Sequence, residues 1–285
     1  MDQLAADTHM GPVTLRVADL DAMTAYYRDG VGLRVIDEAG PVVTLGRGTT
    51  AVVILEHSPE LKHASPRDAG LFHTAILFET EEALAAAVYS VAQHYPHNFT
   101  GSSDHLVSKA FYFNDVENNG VELYWDRERT EWSWVHGSIE MGTLYLDPNA
   151  FLQQNLTDAA VADPVIGGAS VGHVHLQVGD VQGAHDFYVD RLGFEQTINY
   201  GGTALFVSAG GYHHHMAMNV WNSAGAGPRL PALGLGQIDI RVPSADDVGA
   251  LTERLQHFGV ATRDDGQTVS FDDPWANLIR VTAAA

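Results

Sequence analysis

Residues Gly11 to Leu33 read GPVTLRVADLDAMTAYYRDGVGL, and Gly172 to Phe194 read GHVHLQVGDVQGAHDFYVDRLGF. At a constant offset of 161, Val17, Asp19, Tyr27 and Gly32 fall on Val178, Asp180, Tyr188 and Gly193. Each copy opens with alternating apolar residues, the period-2 signature of a half-buried strand. An Asp then stands where a helix N-cap belongs, because its carboxylate can accept the unpaired N–H groups of a first turn. A Gly closes the helical stretch, as a left-handed C-terminal residue would. Asp19 and Asp180 are therefore read as caps rather than catalysts.

A second pair extends the pattern. HTAILFETEEALAAAVYSV from His73 is a strand followed by an Ala-rich helix opening at Thr80 with acidic residues. QIDIRVPSADDVGALTERL from Gln237 repeats it, with Ser244 at the cap. Asp115 to Leu123 (DVENNGVEL) and Asp273 to Val281 (DPWANLIRV) are matching turn-and-strand endings. The chain thus divides into four βαβββ modules near 9–57, 70–126, 170–222 and 233–283. The expected domains are a first pair of modules over 9–126, an irregular crossover over 127–169 holding Trp132, Trp134, Pro148 and Pro164, and a second pair over 170–285. A module this small cannot cover its own sheet face, so an α+β architecture of paired modules is predicted.

Composition removes several function classes. Lys and Arg number 15 against 36 Asp and Glu, a formal charge of −21, which repels phosphate backbones and anionic lipid heads. No nucleic-acid or membrane partner is expected. The absence of cysteine excludes disulfides, thiolate nucleophiles, iron–sulfur clusters and Cys-ligated zinc. Any metal must be held by carboxylates and some of the 15 histidines. The N-terminal MDQLAADTHM carries no basic or apolar signal region, and no apolar run of 18 residues occurs, so a cytoplasmic protein is expected. No Gly-rich phosphate loop follows a strand; Gly210-Gly211 is read as a hairpin turn.

The GH-V-x-L-x-V openings, helices ending near FY and LGF, and module closes such as DPWAN together resemble the vicinal oxygen chelate superfamily, which includes glyoxalase I, bleomycin resistance proteins and extradiol dioxygenases. With FHTAILF, DHLVSKAFYF, NNGVELYWDR, GHVHLQV and LFVSAGGYHHHMAMNVW, the chain is similar to the two-domain catechol 2,3-dioxygenase branch. That resemblance implies modules paired into two curved-sheet, cleft-forming halves. It places metal ligands at two stations per module, early in the first strand and in the last strand. Module one offers Pro12 and the Leu55/Glu56 region, module two His73 and Glu122, module three His173 and His215 of the 213–215 run, and module four Gln237 and Arg280.

Pairing one with two and three with four would leave each cleft with an incomplete set. Pairing two with three, the arrangement we expect, would gather His73, Glu122 and His173, with His215 beside them. Two imidazoles and one carboxylate are the facial set of non-haem Fe(II), with Mn, Ni or Zn as alternative metals. The resemblance further implies His105 as acid–base and Tyr112, ten residues before Glu122, as hydrogen-bond donor. His105 departs from the family pattern by standing two residues closer to the tyrosine. His175, two residues beyond His173, is a ligand or an orienting neighbour.

The implied activity is meta cleavage of catechol or a substituted catechol to a semialdehyde, with a small aromatic diol and O2 as partners, in aromatic hydrocarbon catabolism. A homo-oligomer is expected. A glyoxalase-like lyase or isomerase with four ligands is one alternative. A metal-free protein that sequesters an aromatic or drug molecule, in a cleft lined by Trp125, Phe206 and Trp221, is another.

Overall fold

A computed structural model describes residues 3–135 and 137–284. Module one comprises β1 (His9–Val17), α1 (Leu20–Ala25), β2 (Arg34–Ala39), β3 (Val42–Arg47) and β4 (Thr50–His57). Module two comprises β5 (Gly70–Phe78), α2 (Glu81–His94), β6 (Phe99–Asp104), β7 (Ser108–Asn114) and β8 (Gly120–Asp126). The crossover contains β9 (Trp134–Val135), β10 (Ser138–Ile139), α3 (Pro148–Asn155) and α4 (Asp158–Ala162). Module three comprises β11 (Ala169–Gln177), α5 (Val181–His185), β12 (Glu195–Asn199), β13 (Ala204–Ser208) and β14 (Met216–Asn219). Module four comprises β15 (Gly234–Val242), α6 (Ala245–His257), β16 (Arg263–Asp264), β17 (Thr268–Asp272) and β18 (Leu278–Ala283).

The strands form two eight-stranded sheets, ordered β16-β17-β18-β15-β1-β4-β3-β2 and β12-β13-β14-β11-β5-β8-β7-β6. Modules two and three thus share one sheet, and modules one and four the other. Two compact units can also be distinguished, and neither is one uninterrupted stretch. One holds Met1–Leu15, Leu61–Phe72 and Gly172–Ala285; the other holds Arg16–Glu60 and His73–Val171. Three of the four unit boundaries fall inside β1, β5 and β11, and the fourth lies between β4 and β5.

The helix starts follow the capping chemistry read from sequence. Asp19 Oδ1 accepts the Ala22 N–H at 2.9 Å, and Asp180 Oδ2 accepts that of Gly183 at 2.7 Å. Thr80 caps α2 through the Ala83 N–H, while Ser244 and Asp247 form a reciprocal capping box on α6. The helix ends differ from a plain α-helix: α1 and α5 run into π-helical turns over Tyr26–Gly30 and Asp186–Arg191. Gly32 and Gly193 then turn the chain at φ +78° and +94°, a conformation that a Cβ disfavours.

Those widened turns place two tyrosines for one repeated task. In one unit, Asp115 accepts the N–H groups of Glu117 and Asn119, the Asn119 amide and, at 3.2 Å, the Tyr27 hydroxyl. In the other, Asp273 accepts the N–H groups of Trp275 and Asn277, the Asn277 amide and, at 2.8 Å, the Tyr188 hydroxyl. Four donors around each buried carboxylate offset the desolvation that would otherwise expel it. Burial still wins in part, pushing the Asp115 carboxyl up to about 6 and raising that of Asp273. Each lock ties a module's π-turn to the turn before the next module's last strand.

Candidate metal centre

Module two supplies the first half of the site. β5 runs parallel to β8 with Ala75 opposite Glu122, which sets His73 two residues back on the same strand. His73 Nε2 lies 2.9 Å from Glu122 Oε2, and both side chains are buried. A carboxylate at this depth in an apolar strand costs several kcal/mol unless a positive charge or strong donors face it. β7 pairs antiparallel with β8 and puts Tyr112 directly opposite Glu122. Burial first, then the Glu122 charge and its hydrogen bond, raise the Tyr112 phenol well above its usual pKa, so this group stays protonated and available as a donor.

His105 sits in the turn between β6 and β7. Its Nε2 lies 2.7 Å from the Tyr112 hydroxyl, and its Nδ1 lies 2.6 Å from the carbonyl of Gly142 in the crossover. A carbonyl can only accept, so Nδ1 carries a proton; in the neutral ring Nε2 is then an acceptor, and the single Tyr112 hydrogen serves Nε2 or Glu122, one at a time. Tyr112 therefore stands between His105 and Glu122, two of the residues singled out from sequence.

Module three supplies the second half. His173 and His175 lie on β11, both buried. The Asn219 amide faces His175 Nε2 at 3.0 Å, while Asn219 Oδ1 accepts the Trp221 N–H at 3.1 Å. The second bond fixes the amide orientation, so His175 Nε2 accepts a hydrogen bond there. Phe72, Phe206 and Trp221 surround the His175 ring with centroids at 4.9, 5.8 and 5.4 Å. These contacts give His175 an orienting environment.

The 213–215 run divides its labour in a way the strand alternation does not anticipate, because these residues precede β14 and lie in an irregular turn. His215 is buried within this turn. Its Nδ1 accepts the Ala209 N–H at 3.2 Å, and its ring packs between Phe194 and Tyr212. His214 is the member placed against His173, with ring centroids 4.0 Å apart. His213 Nδ1 lies 2.8 Å from His214 Nδ1, so one ring donates to the other.

Among the described residues, His73 and Glu122 form a buried imidazole–carboxylate pair, and His173 is a buried imidazole on β11. The donor set suits a divalent transition metal: two neutral nitrogen ligands and one hard anionic oxygen. The corresponding stations of modules one and four offer Pro12, Gln237 and Arg280, which are poor ligands, and the Leu55/Glu56 region, where the half-exposed Glu56 carboxylate faces Arg16 at 3.7 Å. Asp104, Arg127 and Gly142, which hold His105, were not singled out from sequence; Asp104 adjoins it, but Arg127 and Gly142 are distant along the chain and gave no signal.

This chain belongs to the Glyoxalase/Bleomycin resistance protein/Dioxygenase superfamily, which matches residues 9–123 and 170–281. Within the superfamily it is 32% identical over 279 residues to the catechol-2,3-dioxygenase of Bacillus subtilis (strain 168), covering 96% of each chain. Among solved structures it is similar to the cppA protein of Streptococcus pneumoniae, with TM-score 0.62, 11% identity and coverage of 99% and 100% of the two chains. It is also similar to glyoxalase I of Zea mays, with TM-score 0.58, 14% identity and coverage of 97% and 92%. The structural likenesses establish the fold. No helix among the described residues is long and apolar enough to cross a membrane.

Proposed function

We propose that this protein is an Fe(II)-dependent extradiol dioxygenase that opens the ring of catechol or a substituted catechol to a semialdehyde. The observation that carries the reading is the buried His73–Glu122 pair at 2.9 Å, with Tyr112 and His105 arrayed behind the carboxylate. His73, Glu122 and His173 would hold the metal; Mn, Ni or Zn would fit the same donors. When bound, ferrous iron supplies a Lewis-acidic centre with open positions for a chelating diol and O2.

The chain's own residues have separable tasks. His105 Nε2 is the atom that would receive a proton, since Nδ1 is committed to Gly142. Tyr112, kept protonated by burial, stands between His105 and Glu122 and would orient a substrate oxygen through its hydroxyl. Phe206 and Trp221 would flank an aromatic ring and exclude water. A small aromatic diol and O2 are the partners that follow from this reading, in a cytoplasmic and homo-oligomeric enzyme of aromatic hydrocarbon catabolism. Along the chain its four modules stand two on each side of the 127–169 crossover, over 9–126 and 170–285.

Anaerobic reconstitution with Fe(II), followed by catechol and air, tests the proposal. A yellow semialdehyde is expected; iron bound without product would remove the dioxygenase reading. A glyoxalase-like centre would need a fourth ligand, for which His214, packed on His173, is the candidate. Isomerisation of a thiohemiacetal without ring opening would favour that alternative. Purification of a metal-free form with high affinity for aromatics would favour sequestration.

A further inference from the structure

The turn bearing His105 is held by more bonds than a hairpin needs. Asp104 Oδ1 accepts the Leu106 N–H at 2.9 Å, and Asp104 Oδ2 pairs with Arg127 Nη2 at 2.6 Å. Arg127 also donates from Nε to the Leu106 carbonyl at 3.0 Å. Its own N–H reaches the Val107 carbonyl, and its carbonyl accepts the Trp132 indole N–H at 3.0 Å. Leu106, between these partners, stands at φ +71°, a left-handed conformation uncommon for a branched residue and sustained only by surrounding bonds.

The crossover closes the other side. Gly142 donates its N–H to the His105 carbonyl at 3.2 Å and accepts from the His105 ring through its own carbonyl. Leu144 exchanges both backbone bonds with Asp104 at 2.9 and 3.0 Å. A Cβ at position 142 would come within 3.3 Å of the Leu106 side chain. The segment from 142 to 144 is thus docked as a short extra strand along the edge at Asp104, a function that nothing in the crossover's sequence announces.

We infer that Asp104 and Arg127 are positioning residues that, together with the Gly142 carbonyl, lock His105 in the Nδ1–H tautomer with Nε2 turned toward Tyr112. The Arg127 fork spans Asp104 and Leu106 at once, fixing the turn's backbone in the shape that presents the ring to Gly142. In water the other neutral tautomer of histidine is the commoner one, so the lock reverses the ring's intrinsic preference. The inference rests on the proposed role of His105 for its catalytic meaning, though not for its geometry.

Its test reads the ring directly. Metal-free protein labelled with 15N-histidine is examined by two-bond 1H–15N correlation at about pH 8.5, above the ordinary imidazole pKa of ~6.5. His105 signals are assigned by their loss in His105→Gln. The Nδ1–H pattern is expected in the wild type. Asp104→Ala and Arg127→Met should shift it toward Nε2–H or an average of the two. Asp104→Asn, which keeps an acceptor for Leu106, should restore much of the original pattern in a folded protein.

In iron-loaded enzyme, Asp104→Ala should lower kcat by roughly 10–100-fold with KM within about twofold, the scale of an orienting neighbour. An unchanged His105 pattern in both Asp104→Ala and Arg127→Met would overturn the inference. A wild type showing Nδ1–H but no ring opening would support the clamp and remove the dioxygenase reading instead.

Discussion

Modules two and four follow one plan and end in opposite chemistry. Each opens with a strand, caps its helix with a hydroxyl (Thr80 or Ser244), and pairs its first strand parallel to its last. The pairings superpose: Ala75 faces Glu122 in module two, and Asp239 faces Arg280 in module four. Two residues upstream stand His73 and Gln237. Module two keeps its acid on the last strand opposite a small Ala, leaving the carboxylate to meet an imidazole. Module four moves the acid to the first strand, where Gln237 donates to Asp239 at 2.7 Å and Arg280 approaches at 3.9 Å. Burial raises the Asp239 carboxyl while these two partners pull it down. A buried acid satisfied by its own module has nothing left for a metal; one left facing an imidazole does.

The largest effect that could break this contrast is at Glu122. Glu122→Ala should cut metal affinity by roughly a thousandfold or more, about 4 kcal/mol. Metal analysis after gel filtration checks this, and unchanged retention would remove Glu122 from the ligand set.

The next effect belongs to the feature the two units share. Asp115, held at about 6 against an ordinary 3.8, binds its proton more tightly folded than unfolded. Its stabilising contribution is therefore complete below the unfolded pKa and is lost as pH rises from there through about 6. The loss is up to ~3 kcal/mol by linkage. Urea midpoints measured across that window should show a downward slope that Asp115→Asn flattens. An identical slope in the variant would show that this carboxyl is not the source.

The two locks can also be set against each other. Tyr188→Phe should destabilise by about 1–2 kcal/mol and Tyr27→Phe by somewhat less, since the Tyr188 bond is the shorter. Thermal or urea unfolding decides the order. The smallest effect is expected at Arg280→Ala. Its guanidinium is 44% exposed, so the loss should stay near or below ~1 kcal/mol, with metal content and activity unchanged. A loss of metal there would mean that module four's station is not idle.

Much of this was legible before any coordinates. The repeat at offset 161 and the second matching pair located four modules because modules of one design need similar cap, turn and strand residues at similar spacing. The caps at Asp19, Thr80, Asp180 and Ser244 could be read because capping is a local bond between neighbours in the chain. His73, Glu122 and His173 stood out through the resemblance, which ties ligand stations to positions within a module. The π-turns were not visible: the sequence shows helix formers, and the extra residue per turn is sustained by the distant bonds of Tyr27 and Tyr188. Which of His213 to His215 packs on His173 was not readable for a related reason. Strand alternation orders side chains only within a strand, and His213 to His215 lie outside one.

The amino-acid sequence alone determined the modular plan, the helix starts, the absence of cysteine ligands and the residue types at each module's ligand stations. These depend on residue type and on spacings of a few positions. Only the tertiary structure decided that modules two and three share a sheet, that His214 packs on His173, and that the Gly142 carbonyl meets the His105 ring. Each of these joins groups dozens of residues apart, where no local preference acts and only the packing of the whole chain chooses the partner.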